Sequence, residues 1–531
     1  MEENAKKGCL LDTLRSVALL VCLWTVLDIW AYVGKRAYYE DEIMSLHVVQ
    51  KSFAEIIRHT YHRDYHPFGY YVYLKALFSL FGSSETVAFA GSMTLTAAAL
   101  ALLFLTFLNL GGGNRSLAVV LLALNPMLLL HGSAARWYPL WTVLAAGTLY
   151  VLTRKECISW AGLVVVSALV ALAAYVNYIT AVLGAGVVLW LLSQREYRKT
   201  LAFVLIVGVL FAPWLPPFHT HLTHSTTQFM RGSFMRIKSF AYVGFCLLLG
   251  QTLSPWRLAP WIVGLIALGP LLVLSIVPMM RDRRRRLIVL LLIVVMAFCL
   301  GCRYQRARSL VFFSGVLSLY VALAVETVRP RAIAVPCLGL LLLCNVIALA
   351  NLKQGIYYHK KGLSDPIPTV AAQVRGLCQC APTVVCTTNL PLTYYLSRSG
   401  PCEVESPFKG YEPVSLHRVG REEEGHRYRL PPQMVIVHSY LGSLYAYKND
   451  YEAFREQARA QLGEPAAVFR MKKDLDREAR ERIFHGTTWP EYRFTIEVYR
   501  NVKPQTQAQV TTAFRDIWRE NRKPYVPSAG R

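Results

Sequence analysis

The chain has 531 residues, of which 54% are hydrophobic and only 17% are charged, and its 57 Lys and Arg against 33 Asp and Glu give a net charge of +24. Soluble domains carry about 25% charged residues, so this composition excludes an ordinary soluble protein and also intrinsic disorder. Many basic residues lie between apolar runs of membrane length, which argues against nucleic-acid binding. The composition indicates a polytopic membrane protein whose cationic loops face one side.

The first predicted element is an apolar run at about 16–33, which is preceded by Lys6, Lys7 and Arg15. A secretory signal would have an apolar region of about 7–15 residues and a small-residue cleavage site. This run is longer and ends in Ala-Tyr-Val, a poor cleavage site. It therefore predicts an uncleaved signal-anchor helix whose basic end lies in the cytoplasm.

A polar, aromatic-rich first outer loop is predicted at 34–66, and twelve apolar segments follow it. They lie at about 67–82, 86–109, 116–131, 137–153, 158–175, 178–193, 200–215, 237–253, 258–279, 287–301, 309–326 and 333–350. A helix needs about 20 apolar residues to span a bilayer, and several of these segments are shorter. We expect about 11–13 transmembrane helices, some of them tilted, broken or re-entrant.

Basic loops orient part of this arrangement. The arginines at 281–286 and at 329–331 predict two cytoplasmic loops. The segment 303–308, a second large outer loop at 216–236 and the chain after about residue 351 are then expected on the outer side.

The orientation of residues 67–153 stays open at this stage. The positive-inside rule favours the cytoplasm for each of Arg115, Arg136 and Arg154. They follow successive apolar segments, so full crossings cannot place all three on one side. One segment in this region is therefore expected not to cross fully.

The last third of the chain has a different character, with more charge and no spanning run. Short apolar strands are predicted at Thr383–Cys386, Met434–His438, Ala466–Met471 and Phe494–Tyr499, and helices at Pro391–Arg398 and Tyr451–Leu462. The pattern predicts a transmembrane domain at 1–356 and an extracytoplasmic soluble α/β domain at 357–531, which is large enough for its own core.

Four cysteines lie close together in the predicted outer domain: Cys378, Cys380, Cys386 and Cys402. In an oxidising compartment four cysteines allow three pairings, and the sequence does not choose among them. Their spacing does not match a usual zinc-ligand pattern, so one or two disulfides are the favoured interpretation.

Three consecutive acids, Glu40 to Glu42, stand in the first outer loop of a chain that is poor in acids. A carboxylate near the bilayer surface can act as a general base toward a hydroxyl or as a cation ligand. A solvated loop with a local charge cluster fits the same residues.

Two basic segments are expected on that outer face, Ala135-Arg136-Trp137-Tyr138 and Arg303-Tyr304-Gln305-Arg306. A guanidinium matches phosphate with a bidentate fork, so an interfacial Arg is a candidate ligand for a lipid phosphate. Interfacial Arg side chains also snorkel to headgroups without a catalytic role. Outward-facing Arg opposes the positive-inside bias, which favours the phosphate-binding interpretation.

These segments belong to an ordered set of short motifs within residues 10–350. The set comprises Asp41-Glu42, His66-Pro67-Phe68-Gly69-Tyr70-Tyr71, Gly82-Ser83-Ser84-Glu85, Ala135-Arg136-Trp137-Tyr138, Pro213-Trp214-Leu215-Pro216 and Arg303-Tyr304. Its order and spacing resemble the membrane-embedded glycosyltransferases of the GT-C class, in particular the protein O-mannosyltransferase and lipid A aminoarabinose transferase relatives. The chain departs from their pattern at Phe68, where a second Pro is usual, and at Asn177, where His or Lys is common.

The resemblance implies transfer of a sugar from a polyprenyl-phosphate donor to a lipid, glycan or protein acceptor on the non-cytoplasmic face, usually with inversion. It makes Asp41 the base, with Glu42 or Glu40 orienting it or supporting a metal. It further implies that Arg136, Arg303 and Arg306 bind the donor phosphate, and that His66, Tyr70, Tyr138 and Tyr304 line the substrate cavity. Asp41, Glu42 and Asp64 are candidate ligands for Mg²⁺ or Mn²⁺, and relatives differ in whether they need a metal.

A transporter or flippase of lipid-linked glycans is the alternative from another functional class. It should show charged groups near the midplane and paired broken helices related by internal repeats, whereas here Asp28 is the main acid so placed. The expected location is the bacterial inner membrane with the C-terminal domain in the periplasm, and an ER membrane with a luminal domain fits the same topology.

Overall fold

The computed structural model describes a defined set of residues. These are 2–32, 40–62, 66–229, 235–253, 258–302, 307–353, 367–380, 383–387, 392, 396, 402–405, 433–439, 458–472, 492–500 and 502. Contacts divide the chain into two compact units, one formed by 1–36 and 48–359 and the other by 37–47 and 360–531.

Helices make up the described part of the first unit. They are α1 (Glu2–Tyr32), α2 (Glu40–Val49, shared between the units), α3 (Phe53–His62), α4 (Gly69–Phe81), α5 (Glu85–Asn109), α6 (Arg115–Ala123), α7 (Pro126–His131), α8 (Tyr138–Thr153), α9 (Trp160–Ala174), α10 (Thr180–Ser193), α11 (Tyr197–Phe211), α12 (Leu215–Phe229), α13 (Met235–Leu249), α14 (Leu258–Arg281), α15 (Arg286–Cys302), α16 (Val311–Thr327) and α17 (Arg331–Lys353). Short 3₁₀ turns at Ala212–Trp214 and Ala307–Leu310 precede α12 and α16.

Many of these helices have the composition of membrane spans. Six segments of the described chain are long and apolar enough to cross a bilayer: Leu10–Ala31, Glu85–Asn109, Tyr197–Leu222, Leu258–Arg281, Ala307–Thr327 and Arg331–Lys353. Five apolar helical stretches of 10–17 residues accompany them. The protein is therefore an integral, polytopic α-helical membrane protein, as the composition predicts.

One end of the helical unit is marked by the arginine loop 282–286, and we call it the basic end. Arg284 Nη1 donates to the carbonyl of Asn109 (3.1 Å) at the end of α5. The Asn109 amide in turn lies 3.5 Å from the Thr153 hydroxyl at the end of α8. Arg285 Nη1 donates to Thr327 Oγ1 (3.2 Å) at the end of α16. Three helices therefore end here.

The helix α8 places Arg136 at the other end of the unit. Its 16 residues rise by about 24 Å from Thr153. Arg115 begins α6, which the short loop 110–114 joins to the end of α5, so it belongs to the basic end together with Arg154. The broken pair α6–α7 then leads away from the basic end and α8 returns to it. Arg115 and Arg154 therefore lie at the basic end, and Arg136 lies at the opposite end.

The described contacts of α4 lie at the end opposite the arginine loop. Gly69 N, at its start, donates to the carbonyl of Tyr175 (2.8 Å), which follows α9 at the end opposite the arginine loop. The Tyr73 hydroxyl donates to the carbonyl of Gly91 (3.2 Å), near the start of α5. A Cβ at residue 69 would lie 2.6 Å from the Tyr175 oxygen, so only glycine permits this approach.

Polar residues set the beginnings of several helices. The side chains of Ser84, Asn114, Asn125 and Ser159 accept hydrogen bonds from the first-turn amides of α5, α6, α7 and α9. Gly82 has a φ of +87°, and Ser84 caps the helix that starts at Glu85. The Gly-x-Ser-Glu motif is thus a turn and an N-cap.

The second unit contains a five-stranded sheet. Its strands are β1 (Thr383–Thr387), β2 (Cys402–Glu405), β3 (Gln433–Ser439), β4 (Ala467–Lys472) and β5 (Tyr492–Tyr499), in the order β2-β1-β3-β5-β4. β1 is parallel to β2 and β3, while β5 is antiparallel to β3 and β4. The helix α18 (Ile367–Cys380) supplies buried residues to a core shared with β1, β3 and β5.

Candidate functional site

The site is built around the break between α7 and α8, residues 132–137, which we call the Arg136 segment. Each of its residues is buried. Arg136 itself is only 5% exposed although it carries a guanidinium. A buried cation is costly unless it meets polar or anionic groups, so this arrangement is typical of a functional position in a membrane protein.

Two hydroxyls fix the beginning of this segment. Thr96 Oγ1 on α5 donates to the carbonyl of Gly132 (2.6 Å), and the Ser133 hydroxyl donates to the Asp28 carboxylate on α1 (2.9 Å). Asp28 is 3% exposed. A Cβ at residue 132 would lie within 3.0 Å of Thr96 and Trp24 side-chain atoms, so α1 and α5 close tightly on this turn.

Aromatic rings pack together at the end of the Arg136 segment, where α8 begins. The ring of Trp137 lies 4.4 Å from that of Tyr138 and 5.8 Å from that of His66, between centroids. The Tyr138 ring is 5.4 Å from His131, whose Nε2 lies 2.8 Å from Gln251 Oε1. His66 and Tyr138 are thus both placed beside the Arg136 segment.

A chain of hydrogen bonds orients His66. Asn177 Oδ1 accepts from the amide of Ile179 (2.9 Å), which leaves the Asn177 amide nitrogen facing His66 Nδ1 at 3.3 Å. The nitrogen can only donate, so a neutral His66 carries its proton on Nε2. Thr180 Oγ1 donates to the Asn177 carbonyl (2.7 Å) and accepts from Trp141 Nε1 (2.7 Å), which ties this chain to α8.

A second network surrounds the buried His221 on α12. Its Nε2 lies 3.2 Å from the carbonyl of Tyr61 and must donate to it, so Nδ1 of the neutral ring accepts from the Tyr178 hydroxyl (2.8 Å). Trp214 Nε1 donates to the same hydroxyl (2.9 Å). The Pro-Trp-x-Pro motif therefore joins α3, the loop after α9 and α12.

A further arginine, Arg308, is buried at the same end as Arg136. The first turn of α16 packs on α8, with Phe312 and Phe313 rings 5.7 and 6.0 Å from that of Trp141. Arg308 stands one turn before these contacts, as Arg136 does on α8. The neighbouring Arg303, Tyr304 and Arg306 lie outside the described residues.

The other predicted site residues lie on α2 and α4 or outside the described residues. Tyr70 is buried on α4 beside the Tyr71 ring (6.0 Å). On α2, Glu42 is fully buried and Asp41 is partly exposed, and both belong to the second unit. Asp64 lies outside the described residues. The described residues contain no group of three or more His, Cys, Asp or Glu side chains that could hold a metal.

Of the four cysteines singled out in the second unit, Cys378 on α18 is buried and disulfide-bonded. The side chains of Cys380, Cys386 and Cys402 are outside the described part of the chain. The pairing therefore stays a prediction.

Several residues of this site carry no local sequence signal. Thr180 and His221 act through partners far away in the chain, and a lone polar residue in an apolar run does not reveal its partner. Asn177 had a signal only as a departure from the family pattern, which did not reveal its contact with His66. Arg308 did have a signal, because it ends the same basic segment as Arg303 and Arg306.

Comparison with known proteins identifies solved structures with a similar fold. No family model matches the chain, and no curated protein sequence matches it either. A crystal structure of ArnT from Cupriavidus metallidurans bound to undecaprenyl phosphate matches with a TM-score of 0.51 and 13% identity, covering 92% of this chain and 98% of that one. Its apo crystal structure gives a TM-score of 0.49 at 12% identity, with the same coverage. The chain thus has an ArnT-like GT-C fold, and the predicted resemblance is confirmed at the level of fold.

Proposed function

We propose that the protein is a membrane glycosyltransferase that moves a sugar from a polyprenyl-phosphate donor to an acceptor hydroxyl on the non-cytoplasmic face. The observation that carries this proposal is the buried Arg136, which directly precedes the aromatic pair Trp137 and Tyr138 at the end opposite the arginine loop. The ordered motifs and the ArnT-like fold support it, and the similar ArnT structure is bound to undecaprenyl phosphate.

The positive-inside rule supports the orientation of the reaction. The basic end carries Arg281 and 283–286, which favours the cytoplasm for that end. Arg136 and Arg308 then belong to the outer side. In a bacterial inner membrane this side is the periplasm, where we also place the domain 357–531.

The chemistry requires a base and a group that stabilises the leaving phosphate. In the proposed step Asp41 takes the proton of the acceptor hydroxyl, and the oxygen of that hydroxyl forms a bond to the anomeric carbon of the sugar. The bond between the anomeric carbon and the phosphate oxygen breaks at the same time, with inversion at that carbon. The polyprenyl phosphate leaves with the bonding electrons. General-base catalysis contributes about 10²–10⁴-fold.

Fixed cations are assigned to the leaving group. Arg136, Arg303 and Arg306 stabilise the charge that develops on the phosphate, and we add Arg308 to this set because it is buried at the same end. Glu42 orients Asp41. His66, Tyr70, Tyr138 and Tyr304 shape the substrate cavity.

Asp41, Glu42 and Asp64 are also proposed ligands for Mg²⁺ or Mn²⁺. Carboxylate oxygens suit both ions. Transfer measured after EDTA treatment and after adding back each ion tests this assignment without affecting the roles of the arginines.

The proposal predicts that Asp41→Asn abolishes transfer. The purified protein is incubated with a panel of radiolabelled polyprenyl-phosphate sugars and membrane extract, and the labelled product is identified. Asp41→Asn should lower turnover by at least about 100-fold, because the amide cannot accept the proton. Asp12→Asn makes the same change at an exposed acid paired with Arg15 and should keep full activity.

Two outcomes would contradict the proposal. Full transfer by Asp41→Asn would remove Asp41 from the role of base. In the second outcome, the wild type forms no product from any donor but moves labelled lipid-linked glycan across the proteoliposome membrane. That result would replace the glycosyltransferase with the transporter alternative.

A further inference from the structure

The buried carboxylate of Asp28 has no role in the proposed chemistry. It lies in α1, within the apolar span Leu10–Ala31, and is 3% exposed. Acids inside apolar spans are costly and rare, and they commonly serve a function with a specific partner.

One hydrogen bond of Asp28 reaches the Arg136 segment. The carboxylate accepts a hydrogen bond from the hydroxyl of Ser133 (2.9 Å), and both side chains are buried. Ser133 stands three residues before Arg136. The electrostatic strength of a hydrogen bond rises in a medium of low dielectric constant, so this contact ties α1 firmly to the segment.

The surroundings leave this turn little room to shift. Trp24 stands one helical turn before Asp28 on α1, and its Cζ2 would lie 2.9 Å from a Cβ at Gly132. Thr96 Oγ1 on α5 donates to the Gly132 carbonyl (2.6 Å). The two residues that start the Arg136 segment are therefore held by α1 on one side and by α5 on another.

The backbone between this anchor and the arginine is short and turned. The amide of Ala134 donates to the carbonyl of His131 (3.2 Å), and that of Arg136 donates to Ala134 (2.7 Å). A shift at Ser133 must therefore be transmitted to Arg136 within one turn of chain. Phosphate recognition by a guanidinium depends on its direction, since the fork is planar and bidentate.

We propose that Asp28 is a positioning residue, which fixes Ser133 by an interhelical hydrogen bond and thereby sets the geometry with which Arg136 meets an anionic lipid phosphate. This inference rests on the proposed function, because it assumes that Arg136 binds the phosphate. Asp28 itself does not contact the substrate in this proposal.

The test measures the dissociation constant for undecaprenyl phosphate and the melting temperature of each purified full-length variant. Asp28→Leu and Ser133→Ala each remove the hydrogen bond and should weaken binding about tenfold or more. Asp28→Asn keeps an oxygen that accepts from Ser133, so its dissociation constant should stay within about threefold of the wild type.

A matched control comes from a second buried interhelical hydrogen bond. The Ser275 hydroxyl on α14 lies 2.7 Å from the Tyr320 hydroxyl on α16, nearer the basic end. Ser275→Ala should lower the melting temperature about as much as Ser133→Ala while leaving the dissociation constant unchanged. A merely structural role for Asp28 would give the two variants the same result in both measurements.

The wild type and Arg136→Ala separate this inference from the proposed function. If the wild type does not bind undecaprenyl phosphate, or Arg136→Ala binds as tightly, the phosphate assignment fails. If Arg136→Ala loses binding but Asp28→Leu keeps it, the positioning role fails. Equal losses for Asp28→Asn and Asp28→Leu would also overturn the positioning role, since the acceptor oxygen would then not suffice.

Discussion

Arginines at the two ends of the helical unit differ in burial and in the groups that surround them. At the basic end Arg285 donates to the carbonyls of Leu110 and Gly111 and to Thr327, and its side chain is 20% exposed. Arg284 likewise donates to the carbonyl of Asn109. The last carbonyls of a helix have no partner within it, and a cation there also offsets the helix dipole. These guanidiniums therefore complete helix ends.

At the opposite end Arg136 and Arg308 are more deeply buried, each within a break or turn between helices. Asp28 and Thr96 hydrogen-bond to Ser133 and to the Gly132 carbonyl, and these contacts hold the start of the Arg136 segment. The same residue type thus supports the fold at one end, and at the other end our proposal assigns it to the donor phosphate. Substitutions at the two ends should separate stability from ligand binding.

The largest effect is expected at Gly132. A Cβ there would lie 2.3 Å from the Leu128 oxygen, 2.8 Å from Thr96 Cγ2 and 2.9 Å from Trp24 Cζ2. Gly132→Ala must therefore displace backbone, at a cost of about 1–3 kcal/mol in the free energy of unfolding. It should also abolish measurable binding of undecaprenyl phosphate, because the displaced turn carries Arg136.

Gly147→Ala on α8 is the matched control. The nearest atom to its new Cβ is Leu169 Cδ1 at 3.6 Å, an ordinary contact. Alanine is the better helix former, so the melting temperature should stay the same or rise. Binding by Gly132→Ala at wild-type affinity would show that the turn does not position Arg136.

A smaller and different effect is expected for Arg285→Ala. It removes three hydrogen bonds at the basic end, which should lower the free energy of unfolding by about 1–2 kcal/mol. Affinity for undecaprenyl phosphate should not change. Arg285→Lys keeps the charge but not the fork and should restore little of the lost melting temperature. Full rescue by lysine would mean that charge alone matters at this end.

The sequence predicted the elements whose pattern is local. Strands β1, β3, β4 and β5 coincide with predicted apolar segments and are confirmed. The strand β2 has only four residues, of which two are Glu, so it lacked an apolar pattern. The helix α18 was also missed, although Val370, Val374 and Cys378 recur at helical spacing and form one buried face.

The arrangement of the site could not be predicted in full, because it depends on contacts between residues that are far apart in the chain. The motifs identified Arg136 and His66, but Asn177 is 111 residues away from His66 in the chain, and Ser133 is 105 residues away from Asp28. The orientation of 67–153 needed the contacts of Asn109, because basic residues alone gave no consistent assignment. The roles of Asp41 and Glu42 stay predictions.

The smallest effect is expected at Glu326, an acid at the basic end. Its carboxylate accepts from the amides of Gly113 (3.0 Å) and Asn114 (2.6 Å), which precede α6. Glu326→Gln keeps an acceptor oxygen and loses only the charge at this helix N-terminus, worth about 0.5 kcal/mol in the free energy of unfolding. Because salt screens such a charge, the difference in melting temperature from the wild type should shrink as ionic strength rises. A difference in melting temperature that does not depend on salt and is as large as that of Arg285→Ala would show that Glu326 acts through its hydrogen bonds rather than its charge. Hydrogen-bond geometry would then stabilise the basic end at both Arg285 and Glu326.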